Sequence, residues 1–267
     1  MPEGDTIWRA AHTLHKALAG RSVIAARSPI AGVSASGLAG RTIVAVESHG
    51  KNLLIRLDDG RVVYTHMRMS GSWHIYQPGE RWQRPERQAR LVLETERYVA
   101  VCFNAPVVEI LTAAALRRHA VLSTLGPDLL SAAFDATSAR QRLRALGSLP
   151  IGEALMRQTA LAGIGNVYKS ETLFLCGVNP FSPVRELEDA ALDRVIAKAR
   201  ALMSANLHAR SGPGRRLERS EGFWVYRRCG RPCRRCGAVI RMRRQGADAR
   251  STYWCPTCQP VAAPLRS

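Results

Sequence analysis

Four cysteines restrict the end of this chain more than any other feature does. Cys233-x2-Cys236 is followed, after 18 intervening residues, by Cys255-x2-Cys258. Two thiols on each of two tight turns, some 15–20 residues apart, is the spacing of a tetrahedral four-cysteine zinc site. Gly237 and Pro256 suit such turns. The segment between the pairs must run out and back, so residues 238–243 and 251–254 read as the strands of a β-hairpin. Four thiolates leave no open position for water, which predicts one structural Zn2+ rather than a catalytic one. Cys229 is a rival ligand, although its x3 spacing to Cys233 suits a knuckle less well. Cys102 and Cys176 lie in apolar surroundings and read as small core residues.

Charge bounds the partners. The chain of 267 residues carries a formal net charge of +18. From Ala201 onwards there are 14 Arg and no Lys against Glu218, Glu221 and Asp248, a balance of +11. More than half of the excess therefore sits in the last quarter. Such a field gathers a polyanion, and Arg presents a fork of donors matched to phosphate where Lys would serve solubility equally well. An ordinary solvated basic surface is the alternative. No run approaches the roughly 18 apolar residues of a membrane span, and no basic-then-apolar leader opens the sequence. A bacterial cytosolic chain, working without a membrane and as a monomer, is expected.

The hydrophobic period changes along the chain. Residues 5–19 read as an amphipathic helix with Ile7, Trp8, Ala11, Leu14 and Leu18 on one face and Gly20 at its end. Short period-two segments follow at 21–26, 41–47, 52–57, 61–66, 72–76, 89–93 and 98–103, with Asp58-Asp59-Gly60 as a hairpin turn. After Leu125-Gly126-Pro127-Asp128 the pattern becomes helical, at 132–146, 151–161, 166–175 and 189–207. The expected divisions are 1–118, 119–220, a zinc segment at 221–260 and a tail at 261–267. No internal repeat is present.

Several residues are candidates for chemistry, each with a plainer alternative. Met1-Pro2-Glu3-Gly4-Asp5-Thr6 places a proline and carboxylates at the chain start, where Asp5 also reads as a simple helix cap. Gly163-Ile164-Gly165-Asn166 opens a helix and so presents N–H groups to an anion; Lys169 adds a cation one turn on. Asn166 as a bare N-cap needs no ligand. Lys51 follows His49-Gly50 at a strand start, as a functional cation or a surface charge. Met69, in His66-Met67-Arg68-Met69-Ser70-Gly71, is loop filler or an apolar wedge for a base stack. Arg250 lies five residues before Cys255, on a mount that metal would rigidify.

Taken in order, these motifs resemble the formamidopyrimidine-DNA glycosylase / endonuclease VIII family of base-excision repair enzymes. The resemblance runs from Pro2 to Gln259 and includes Arg250-Ser251-Thr252-Tyr253-Trp254-Cys255. It implies an α+β architecture: an N-terminal helix with a β-sandwich, a helix-two-turns-helix domain and a zinc β-hairpin. It also implies damaged DNA as partner and a glycosylase joined to an AP lyase. Pro2, freed by removal of Met1, becomes the nucleophile, with Glu3 as proton shuttle. Lys51, Asn166 and Arg250 take phosphates around an extruded nucleotide, while Arg68, Met69 and Lys169 contact DNA. Gly4-Asp5-Thr6 departs from the formamidopyrimidine branch, which continues Leu-Pro-Glu. The Arg and Phe of that branch's later loop are absent from Phe103-Asn104-Ala105-Pro106-Val107-Val108, a segment that reads as a strand. Both departures favour the endonuclease VIII side and oxidised pyrimidines. Thr6, where relatives often carry Glu, puts one auxiliary carboxylate in doubt. The rival readings are an oxidised-purine glycosylase and a non-catalytic zinc-finger DNA-binding protein; the Pro2-Glu3 pair argues against the latter.

Overall fold

The computed structural model describes residues 2–207 and 222–261. Ser211-Gly212-Pro213-Gly214, like Met1 and the end of the tail, lies outside the described residues. The chain divides into two units, Met1–Thr124 and Leu125–Ser267.

The first unit begins with α1 (Gly4–Leu18). Eight strands follow: β1 (Ala25–Arg27), β2 (Ile43–His49), β3 (Asn52–Leu57), β4 (Val62–His66), β5 (Ser72–Tyr76), β6 (Ala89–Glu94), β7 (Val99–Phe103) and β8 (Val107–Leu111). They form two antiparallel four-stranded sheets, ordered β1-β6-β7-β5 and β2-β3-β4-β8. Leu53 and Ile55 of one sheet share a core with Leu91, Leu93 and Cys102 of the other, which makes the sandwich. Ile7, Ala11, Leu14 and Leu18 of α1 enter that core at the helical period. Trp8 does not; it is half-buried and stacks on His12 at 4.9 Å. The other face of β3 and β4 buries Leu54 and Tyr64 against Leu116 and Leu122. A helix the sequence pattern did not reveal, α2 (Ala113–Arg117), carries Leu116. That packing carries the first unit past residue 118.

The second unit is helical: α3 (Ala136–Arg144), α4 (Ile151–Ala154), α5 (Asn166–Leu175) and α6 (Asp189–Leu207), then β9 (Arg241–Gln245) paired antiparallel with β10 (Arg250–Trp254). From Val167 to Phe174 every residue of α5 is buried. Tyr168 and Leu173 pack among α6 residues such as Ile196 and Ala199, while Phe174 joins Val225, Ile240 and Cys255 of the zinc segment. One helix thus supports both the helical core and the hairpin. The expected helix at 151–161 stops at Ala154 because the chain is needed elsewhere. Gln158 folds back, its Nε2 donating to Met156 O and Ile164 O while its Oε1 accepts from Gly163 N. Among the described residues no helix is long and apolar enough to cross a membrane.

Candidate active site

In the first unit, Glu3 is the N-cap residue of α1, and its carbonyl accepts from Thr6 N and Ile7 N at 2.9 and 3.1 Å. Its side chain makes no capping bond, yet Glu3 is 0% exposed. A carboxylate loses strong hydration when buried, so its place inside the fold at the start of α1 is costly. Pro2, directly before it, is half-buried. Asp5 does not cap the helix as expected, because the helix already begins at Gly4; it is buried in the first turn, with Thr6 Oγ1 at 3.4 Å.

Lys51 stands in a two-residue turn, since His49 pairs with Asn52 across β2 and β3. Gly50, at φ +59, supplies the left-handed angle that a side chain would resist. Asn52 steadies the turn: its Nδ2 donates to His49 O, and its Oδ1 accepts from Tyr64 Oη. His66 lies opposite Asn52 in the register of β3 and β4. Burial first, then the charges of Lys51 and Arg68, push the His66 imidazole below its usual value. The sequence motif contained this histidine, but its nearness to Lys51 depends on strand register and was not legible.

Beyond β4 the chain makes a tight loop. Gly71 N donates to Met67 O at 2.8 Å, and a Cβ on Gly71 would stand 2.7 Å from that oxygen. Met67 is anchored in the core while Met69 stands 67% exposed. Arg68 is exposed, with φ +44, and its N–H donates to His66 Nδ1. A methionine held outwards by an anchored, glycine-dependent loop can act as a wedge. The β7–β8 connection is short, and Asn104 (φ +52) makes its turn. The expected strand thus begins only at Val107.

In the second unit, Gly163 takes φ +109 and Asn166 is the first residue of α5. Lys169, expected to contact DNA, is 1% exposed, and its Nζ lies 3.1 Å from Asn166 Oδ1 and 2.8 Å from Thr252 Oγ1. Arg250 opens β10 and pairs with Asp248 at 3.3 Å. Arg250 and Lys169 line one small cavity together with Glu153 and Arg157.

The sulfur atoms of Cys233, Cys236, Cys255 and Cys258 all lie within 4.8 Å of one another. Cys233 and Cys258 are 3.9 Å apart and Cys236 and Cys255 3.5 Å. A tetrahedral zinc with Zn–S of about 2.3 Å requires sulfurs about 3.8 Å apart. Arg235 N and Cys258 N point at Cys233 Sγ and Cys255 Sγ, each at 3.4 Å, as knuckle amides do. The Ala238 N–H leads in drawing the Cys236 thiol down to about 7, whereas burial and then the neighbouring sulfurs push Cys258 up to about 12. Four thiolates crowd together here only if a cation accepts their charge, so the residues fit zinc. Cys229 is exposed and stands outside the cluster.

The comparisons with known proteins agree with this construction. The formamidopyrimidine-DNA glycosylase N-terminal domain matches residues 1–106, its H2TH domain residues 125–215, and the zinc finger found in FPG and IleRS residues 230–261. A solved formamidopyrimidine-DNA glycosylase of Lactococcus lactis, bound to DNA containing an AP site, shares the fold at TM-score 0.82 and 21% identity, over 97% of this chain and 100% of that one. "Probable endonuclease 8 2" of Streptomyces coelicolor is 45% identical over 99% of this chain and 96% of its own length. The "DNA-(apurinic or apyrimidinic site) lyase Nei2" of Mycolicibacterium smegmatis is 35% identical over 98% of this chain and 100% of its own. The chain belongs to the formamidopyrimidine-DNA glycosylase / endonuclease VIII family.

Proposed function

We propose that this protein is a bifunctional DNA glycosylase and AP lyase of the endonuclease VIII type, acting as a monomer on oxidised pyrimidines. The observation that carries the reading is the wholly buried Glu3 beside Pro2 at the N-cap of α1. Removal of Met1 makes Pro2 a secondary amine. An α-amino group titrates at roughly 7.7–8.0, far below lysine, so roughly a tenth to a sixth of it is neutral and nucleophilic at pH 7. Its lone pair attacks C1′ of the damaged nucleotide, the glycosidic bond breaks, and the base leaves with a proton supplied through Glu3. The sugar ring opens to an iminium. A secondary amine's iminium has no N–H proton to lose, so it stays cationic and draws electrons. Loss of a C2′ proton then expels the 3′ phosphate, and a second elimination expels the 5′ phosphate. Water finally releases Pro2.

Lys51, Asn166 and Arg250 each take a backbone phosphate around the flipped nucleotide, and Met69 fills the space it leaves. Flipping costs a few kcal/mol, least for a poorly stacked lesion. Arg68 adds a phosphate contact beside Met69. The preference for pyrimidines rests on the short β7–β8 connection, which offers no Arg or Phe to read an oxidised purine. Single-turnover cleavage of matched duplexes tests this. Oxidised pyrimidines should be cut at least tenfold faster than 8-oxoguanine opposite cytosine; the reverse order would favour the oxidised-purine reading. No cleavage of any lesion or AP site would favour a pure DNA binder.

A further inference from the structure

Lys169 is badly placed to touch DNA and well placed to organise what does. Its Nζ reaches Asn166 Oδ1 at 3.1 Å, Thr252 Oγ1 at 2.8 Å and Ser251 O at 3.3 Å. Thr252 Oγ1 donates onwards to Gln245 Oε1 at 2.9 Å, and Gln245 Nε2 donates to Pro180 O at 3.0 Å. A continuous buried chain of hydrogen bonds therefore leaves the first residue of α5 and crosses both strands of the zinc hairpin. Burying an ammonium is expensive, and a merely space-filling residue here would be apolar.

Two consequences follow from the chemistry of the donors. A lysine ammonium only donates, so the atom of Asn166 that meets it must be the amide oxygen. The NH2 group of Asn166 is thereby turned the other way, as the end that can donate to an anion. Along β10, Arg250 and Thr252 are two residues apart and so share one face of the strand. Fixing the Thr252 hydroxyl fixes the base from which Arg250 reaches. We propose that Lys169 is a positioning residue, not a DNA contact: it holds Asn166 and the Arg250 hairpin in one frame, so that the two phosphate-binding side chains are set together. This rests on the reading of Asn166 and Arg250 as phosphate contacts.

The test uses full-length zinc-loaded protein carrying Lys169→Met, Asn166→Ala or both, on a duplex with one AP site. Lys169→Met should keep one zinc per chain and slow single-turnover cleavage at saturating enzyme by roughly 10–100-fold, the usual effect of a small misplacement. Its binding should retain the wild-type salt slope, because no phosphate contact by an ammonium is lost. Asn166→Ala should slow cleavage alone yet add less than about twofold on the Lys169→Met background, since coupled residues are not additive. A salt slope reduced by about 1 would make Lys169 a direct phosphate contact and overturn the proposal. So would a Lys169→Met enzyme that cuts at the wild-type rate, or an Asn166→Ala penalty equal in both backgrounds. A harmless Asn166→Ala single variant would instead sink the phosphate reading beneath it. Should Lys169→Met fail to fold, Thr252→Val removes the same anchor on the hairpin side. It should make the Arg250→Ala penalty shrink, and an undiminished penalty would overturn the proposal.

Discussion

Glu171 Oε1 accepts the backbone N–H of Val225 at 3.0 Å, across 54 residues of chain. The same oxygen accepts from Tyr226 at 2.9 Å, and Oε2 accepts from Trp224 at 2.9 Å. Burial pushes this carboxyl above its usual value, and the three N–H donors pull against that. Thus α5 ties down the entry to the zinc segment with Glu171 and its hairpin with Lys169. Glu171→Gln replaces one acceptor by an NH2 that faces N–H groups. The cost should be about 1–3 kcal/mol for a buried donor left unmatched. Thermal melting should show a drop of several degrees with zinc still bound; an unchanged melt would deny this tie its weight.

Gly152 of α4 is small for a reason. A Cβ there would stand 2.7 Å from Gln245 Oε1 and 2.9 Å from Pro180 O. Gly→Ala in a helix ordinarily stabilises by up to about 1 kcal/mol. Here Gly152→Ala should destabilise by about 1–3 kcal/mol, because backbone must move. A urea midpoint equal to or above wild type would contradict this packing.

Much of the architecture is legible in the sequence where local signals are strong. The bounds of β3, β5, α5 and α6 agree with hydrophobic period and turn residues alone. Elsewhere distant partners decide. The expected hairpin strand at 238–243 moves to Arg241–Gln245 because Ala238 and Ile240 are paired with the first knuckle: Cys233 N donates to Ala238 O and Ile240 N to Arg231 O. The helix expected from residue 132 starts at Ala136, where Asp135 accepts from Thr137 N and Ser138 N. At the site, the four cysteines could be named from type and spacing, whereas Pro2 and Glu3 are singled out by the family resemblance. The buried roles of Lys169 and Glu171 could not, since hydrogen bonds across 83 and 54 residues leave no local pattern.

The zinc site gives a sharp contrast between two cysteines. Cys255 is buried within the sulfur cluster, and Cys229 is exposed outside it. Cys255→Ser should lose the metal and, with it, hairpin stability and DNA binding, because structural zinc contributes folding free energy. Cys229→Ser should keep one zinc per chain and wild-type melting. Metal analysis showing the reverse would replace the ligand set.

His66 should leave a mark on acid stability. Its folded value lies below the ordinary 6.5, through burial, Lys51 and Arg68. Above that pH both states are neutral and the histidine is silent. As pH falls through 6.5 the unfolded chain takes up a proton that the folded chain resists, so stability is lost on acidification. His66→Asn should therefore lose less stability than wild type between pH 7.5 and 5.5, measured by urea unfolding. Equal losses would mean that Lys51 and the surrounding core exert no such pressure. His74, also lowered chiefly by burial, acts in the same direction and remains in both proteins.

Pro2 is the proposed attacking group. Borohydride added during turnover on an oxidised-pyrimidine duplex should reduce the iminium and leave DNA covalently attached to residue 2, mapped by peptide mass. Glu3→Gln should slow base removal by at least 100-fold while it binds AP-site DNA within about threefold of wild type, the range expected for a lost general acid–base group. An adduct mapped to Lys51 or any other lysine, or no adduct from an enzyme that cleaves, would rule out Pro2 as the nucleophile.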